Sequence, residues 1–179
     1  MRNPERLGVA GLLALLLAFA STACGRSGED QIPEVVCGTR IDQTLLRPVL
    51  TAMEDLQESS RVDRTAAVSA PCTLYSAGDR ILELHFYWST AAPHFAERSE
   101  FDPVFEDLPG WRAVSIGEEG IVGNTGAMVS GPCVVGRNTH FILKLSLPEV
   151  NIMDESRRQD IEKFMRAYFP ATVATLSCD

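Results

Sequence analysis

The sequence is poor in the short patterns that announce chemistry. Its 179 residues include three histidines and no His-x-x-x-His, Cys-x-x-Cys or Asp-rich calcium loop, so the usual metal-binding spacings are missing. Gly-x-Ser-x-Gly is missing too, which removes the serine-hydrolase elbow. The glycine-rich stretch Gly117 to Gly126 lacks the lysine and the strand-to-helix setting of a phosphate loop, and it reads as turns. Positive charge is scarce: 16 Lys and Arg stand against 24 Asp and Glu, a formal net charge of −8. That balance excludes nucleic acid as a partner, because phosphate backbones reward clustered cations. No internal repeat, low-complexity tract or Pro/Gly-rich linker divides the chain, and nothing in it calls for a cofactor. What is present is an ordinary core fraction, 45% hydrophobic, which a disordered chain would not carry. Five cysteines are many for a reduced compartment and point to an oxidising one.

The first 23 residues have the parts of an export signal. Arg2 and Arg6 make a positive start, partly offset by Glu5, and Leu7 to Ala20 is an apolar stretch of 14 residues. As a helix it would cover roughly 21 Å, short of the ~30 Å hydrocarbon core, so a cleaved segment is favoured over a permanent span. Ser21-Thr22-Ala23-Cys24-Gly25 follows and resembles the lipobox of bacterial lipoproteins, in which the cysteine becomes the lipidated mature N-terminus. Ser21 departs from that pattern, which carries an aliphatic residue there. The rival site is Ala18-Phe19-Ala20, whose use would release a soluble secreted protein. The expected organisation is therefore a signal peptide at 1–23, lipidated Cys24 with a polar tether to residue 35, and one domain at 36–179. A tether of about ten residues has a reach of roughly 15–20 Å. Without residues 1–23 the chain keeps 14 basic and 23 acidic side chains, a charge of −9, so an anionic lipid surface should repel it and the anchor alone would hold it.

Periodicity gives the expected elements. Asp42 is a fitting N-cap for Leu45, Leu46, Val49, Leu50 and Met53, and Pro48 divides that pattern into a turn at 43–47 and a helix from 48 to about 58. The period then becomes two: Val62 to Val68 and Cys72 to Ser76 are read as strands, and Arg80 to Trp88 as the clearest one. In it Leu82, Leu84, Phe86 and Trp88 share one face, with Glu83, His85 and Tyr87 on the other. Pro93 to Arg98 is read as a short helix, Trp111 to Ile116 as a strand, and Gly117 to Gly120 as a turn. Ala127 to Val135 and His140 to Leu147 form a hairpin across Gly136-Arg137-Asn138. A final helix runs from Glu155 to Phe169, burying Ile161, Phe164, Met165 and Tyr168, with Pro170 as its interruption and Ala171 to Cys178 open to a further helical turn. The fold class expected is α+β: an antiparallel sheet with an N-terminal and a C-terminal helix packed on one face.

Setting Cys24 aside as the anchor leaves Cys37, Cys72, Cys133 and Cys178, an even number that can pair in three ways, and the sequence does not choose among them. Cys37–Cys72 with Cys133–Cys178 is the pairing we favour, since it would pin each terminal helix to the sheet. The chain also resembles a family of small, uncharacterised secreted lipoproteins of actinobacteria. The matching features are Ala23-Cys24-Gly25, Val36-Cys37-Gly38-Thr39 leading into Asp42, Leu45, Leu46, Arg47 and Pro48, Cys72 before a strand, Cys133 before the last strand, and Cys178 after a helix with Phe164 and Tyr168. That resemblance implies location and disulfides; it supplies no catalytic residue.

The remaining candidates are weighed against plainer roles. Glu83 and His85 share a strand face with His94 nearby, a partial ligand set that an ordinary polar sheet face explains as well. Cys133 with His140 as base could form a nucleophilic pair, but an even set of exported cysteines favours a disulfide. Trp88, Trp111, Phe101 and Phe105 could line a groove or fill core. Glu97, Glu100, Asp102, Glu106 and Asp107 form an acidic run, suited to solvation or to a partner surface. The expectation is a non-enzymatic, membrane-anchored extracytoplasmic module with a binding or accessory role in the cell envelope. The alternatives are a small secreted hydrolase or redox enzyme using Cys133 or His85, and a carrier of an apolar ligand.

Overall fold

Alternating apolar side chains make sheet the dominant element. The computed structural model describes residues 32–95, 108, 110–148, 150–151 and 154–178. The export signal, Cys24, most of the tether, Phe101, Phe105, the acidic run and the end of the expected helix at 93–98 lie outside the described residues.

Seven strands form one antiparallel sheet: β3 (Gln57–Ser60), β4 (Ala70–Ser76), β5 (Asp79–Ser89), β6 (Arg112–Val114), β7 (Glu119–Val122), β8 (Gly126–Val135) and β9 (Asn138–Ser146). Their spatial order is β3-β4-β5-β9-β8-β7-β6, so two hairpin-connected meanders meet where β5 pairs with β9. A separate two-stranded hairpin, β1 (Val35–Val36) and β2 (Thr39–Arg40), precedes the sheet. Its loop residues Cys37 and Gly38 both have positive φ, +51° and +75°, the feature that lets a two-residue turn follow the twist of its strands.

One sheet face carries the main core. Leu82, Leu84 and Phe86 of β5, Phe141, Leu143 and Leu145 of β9, and Ala127 and Val129 of β8 are all buried on it. The C-terminal helix α2 (Arg158–Val173) lays Ile161, Phe164, Met165, Tyr168 and Phe169 against them. Each large apolar side chain so removed from water contributes about 1.5–3 kcal/mol. Phe141 is the aromatic centre, with its ring 5.5 Å from Phe86, 5.3 Å from Trp88 and 6.0 Å from Phe169. Trp88 is thus core packing, whereas Trp111 is exposed.

Four expectations need correction. The helix from 48 to 58 does not form: α1 (Gln43–Leu46) is capped by Asp42, a 3-10 turn covers Arg47–Val49, and Leu50 is already extended. Pro48 sits in the first positions of the 3-10 turn, and Leu46, Val49 and Leu50 reach the core from there, so the helical spacing is real but spent within about one turn. The strand expected at 62–68 is irregular, and strand pairing falls instead on Gln57–Ser60, an exposed edge without any apolar alternation. Gly117 to Gly120 is not all turn, because β7 begins at Glu119. The last helix runs through Pro170 to Val173. Proline removes one helical hydrogen bond, but Phe169 and Thr172 are buried beyond and beside it, and Thr172 Oγ1 hydrogen-bonds Thr39 Oγ1 at 3.0 Å.

The opposite sheet face also differs from an ordinary solvated one. Ile121, Met128 and Ile142 are buried there under Phe95 and Leu108, with Tyr87 packed at the margin. Each cysteine after the tether has a partner at disulfide distance: Cys37 with Cys72, Cα atoms 5.8 Å apart, and Cys133 with Cys178, 4.9 Å apart. The first pair bolts the β1–β2 turn to β4, and the second ties the tail after α2 to β8.

Candidate functional site

Three places bring functional side chains together. The first is the polar strip of β5. Glu83, His85 and Tyr87 alternate with core residues and so project from the face opposite α2. Pairing sets Thr73 of β4 across from Glu83, and Lys144 of β9 across from His85. The His85 and Tyr87 rings stack, 4.1 Å apart and within 3° of parallel. Burial pushes the His85 pKa down; Glu83 opposes that shift and Lys144 adds to it. Burial likewise pushes the Tyr87 phenol up, aided by Glu83. His94 is exposed, and among the described residues Glu83, His85 and His94 do not converge as a ligand set.

The second place is the half-buried Arg64 guanidinium. It donates to the Cys37 carbonyl, to Thr39 Oγ1 and to Thr175 Oγ1, while the Arg64 carbonyl accepts from the Ser177 amide. Tyr168 lies buried beside it and donates its hydroxyl to the Val36 carbonyl at 2.7 Å. Burial raises the Tyr168 pKa to about 12, against the lowering influence of Thr39 and Arg64. Perturbed groups of this kind often mark active sites. Here the contacts tie together the N-terminal hairpin, the 61–69 connection, α2 and the C-terminal tail, and the guanidinium lies over the Phe86 ring, 5.4 Å from its centroid. Glu58 accepts from the Cys37 amide at 2.6 Å and stands within 4.8 Å of the Cys37 and Cys72 sulfurs. With those sulfurs bonded to each other, neither is a thiolate able to ligate a metal.

The third place is a groove of about 550 Å³ beside the last turns of α2. Ile116, Pro132, Phe169, Pro170 and Val173 give it apolar walls, and Gly117 and Gly131 keep its floor low. Gly117 has φ +64°, and a Cβ there would sit 2.2 Å from the Ser130 carbonyl oxygen, so only glycine lets the chain turn against β8. Two charged side chains stand at the rim. Arg166 donates to the Ser115 carbonyl and to Glu162, both at 2.8 Å, and Glu118 lies 3.1 Å from His140 Nε2.

The candidate pair Cys133 and His140 is not assembled. Cys133 is buried in the main core and tied to Cys178, whereas His140 turns to Glu118 and to Thr139 Oγ1. The groove was invisible in the sequence because its walls come from residues 115–118, 131–132 and 166–174, three stretches without a shared pattern. Its one local signal is the Gly117 turn. Among the described residues no helix is long and apolar enough to cross a membrane. No family model matches the chain, and neither a curated protein nor a solved structure matches it significantly.

Proposed function

We propose that this chain is a lipid-anchored extracytoplasmic binding module of the bacterial cell envelope, its residues 36–179 acting as one α+β domain. The observation that carries the reading is the division of the cysteines. Four stand in two close pairs, so the one left over is Cys24, within the lipobox-like Ser21-Thr22-Ala23-Cys24-Gly25. Two disulfides suit an oxidising compartment, and the short apolar stretch before Cys24 suits export. A binding role is favoured over catalysis because the nucleophile candidate Cys133 is spent in a pair, while the groove offers apolar area without a converging acid, base and nucleophile. The resemblance to secreted lipoproteins of actinobacteria points the same way.

The test is fractionation after expression in a bacterium that processes lipoproteins. The native chain should sediment with membranes and be released by detergent but not by high salt, since its acidic surface gives it no electrostatic hold. With residues 1–23 replaced by an export signal that ordinary signal peptidase removes, Cys24→Ser should appear in the soluble or secreted fraction. Native chain found soluble, or Cys24→Ser still bound to membrane, would overturn the proposal.

A further inference from the structure

We propose that the groove beside α2 holds the aliphatic chain of an uncharged amphiphile, with its head at the Arg166–Glu118 rim; this rests on the reading of the protein as a binding module. Its volume, about 550 Å³, lies within the range of small-molecule sites. Apart from the rim and Ser115, the side-chain walls are mostly Ile116, Phe169, Val173 and the two prolines, surfaces that gain by covering methylenes.

Charge at the rim selects against an anionic head. Arg166 and Arg112 share the Glu162 carboxylate, each at 2.8 Å, and Glu118 adds a second, half-exposed carboxylate, so the four charges at and behind the rim balance. A fatty-acid carboxylate would therefore meet Glu118 and a cation already engaged, with no excess positive charge to receive it, on a chain whose net charge is −8. An extended peptide is disfavoured by the backbone. β7 stops pairing at Glu119 opposite Ser130, so among the described residues the stretch of β8 from Gly131 onward has no strand on that side. Pro132 stands on that edge without an N–H, so an added strand could not complete its ladder there. An uncharged chain with a hydroxylated head satisfies both conditions. It would also be at hand for a domain tethered roughly 15–20 Å from a bilayer.

The test uses the purified chain carrying Cys24→Ser, 1-monomyristoylglycerol below its aggregation limit as probe, and calorimetric titration. Saturable binding of one molecule per chain is expected, with myristate weaker. Two exposed rim positions allow substitution without disturbing the core. Ala174→Trp fills the groove mouth and Pro132→Glu puts a carboxylate in its wall; each should weaken the probe by about tenfold or more, with the unfolding midpoint unchanged. Absence of saturable binding, binding untouched by both substitutions, or tighter binding of myristate would overturn the inference. Because the anchor residue is absent from this measurement, its failure leaves the fractionation result standing, and failure of fractionation leaves the titration readable.

Discussion

Replacing Cys37 and Cys72 by alanine should remove a large share of the stability of this fold. The pair closes a stretch of 35 residues. In the chain-entropy model a loop of that length restricts the unfolded ensemble by about 4 kcal/mol, against a typical net stability of about 5–15 kcal/mol. Both cysteines are at most 2% exposed, so deleting the sulfurs also leaves unfilled space in the core. The loss extends to neighbours, because the Cys37 amide is held by Glu58 and its carbonyl by Arg64, and an unpinned hairpin would loosen both. Urea unfolding followed by far-ultraviolet circular dichroism measures the effect. With a slope of about 2 kcal/mol per molar urea, the midpoint should fall by roughly 2 M. The Cys133→Ala/Cys178→Ala variant, closing 45 residues, should fall by a similar amount. A midpoint shift under about 0.5 M for Cys37→Ala/Cys72→Ala would show that the pair does not constrain the unfolded chain, and would refute the reasoning.

Three further outcomes follow from single side chains. Burial pushes the Tyr168 phenol up to about 12 from an unfolded value near 10, so its contribution is complete below about pH 10 and is lost as the pH rises through 12; absorbance at 295 nm should show a phenol ionising near pH 12 that Tyr168→Phe abolishes, at a cost of about 1 kcal/mol for the lost hydrogen bond to the Val36 carbonyl. The folded pKa of His85 lies below its unfolded value near 6.5, so stability is complete above about pH 6.5 and falls as the pH drops through the folded value. His85→Gln should flatten that acid-side loss in chemical unfolding, and an unchanged profile would contradict the assignment. Gly117→Ala must accept a positive φ and a clash with the Ser130 carbonyl, and should destabilise by about 2 kcal/mol or more in thermal unfolding.

The parts legible from sequence were those where one physical rule decides. Leu82, Leu84, Phe86 and Trp88 alternate cleanly, and the last three pair with Leu145, Leu143 and Phe141 across β5 and β9. Ile161, Phe164, Met165 and Tyr168 share the buried face of α2. The misplacements came where tertiary context overrode local preference. β3 has no alternation to detect, since all four residues are exposed and only their pairing with β4 makes them a strand. The segment around Val62 alternates, but Arg64 is drawn inward by the Cys37 carbonyl and the chain leaves the sheet. Pro170 reads as an interruption with a further turn beyond it, and the buried Thr172, bonded to Thr39, accompanies a helix that continues through the proline to Val173. The polar face of β5 was read correctly as a face, but its second apolar cluster draws on Phe95 and Leu108, whose partners lie far along the chain. The groove required knowing that the Gly117 turn, β8 and α2 meet.

The most direct test is the intact mass of the native protein purified from membranes and alkylated under denaturing, non-reducing conditions. The expected species begins at Cys24, carries a lipid adduct and takes up no alkyl groups; after reduction it takes up four, one for each of Cys37, Cys72, Cys133 and Cys178. An unmodified Cys24, a chain beginning at Ser21, or alkylation before reduction would contradict the division of the five cysteines into one anchor and two disulfides.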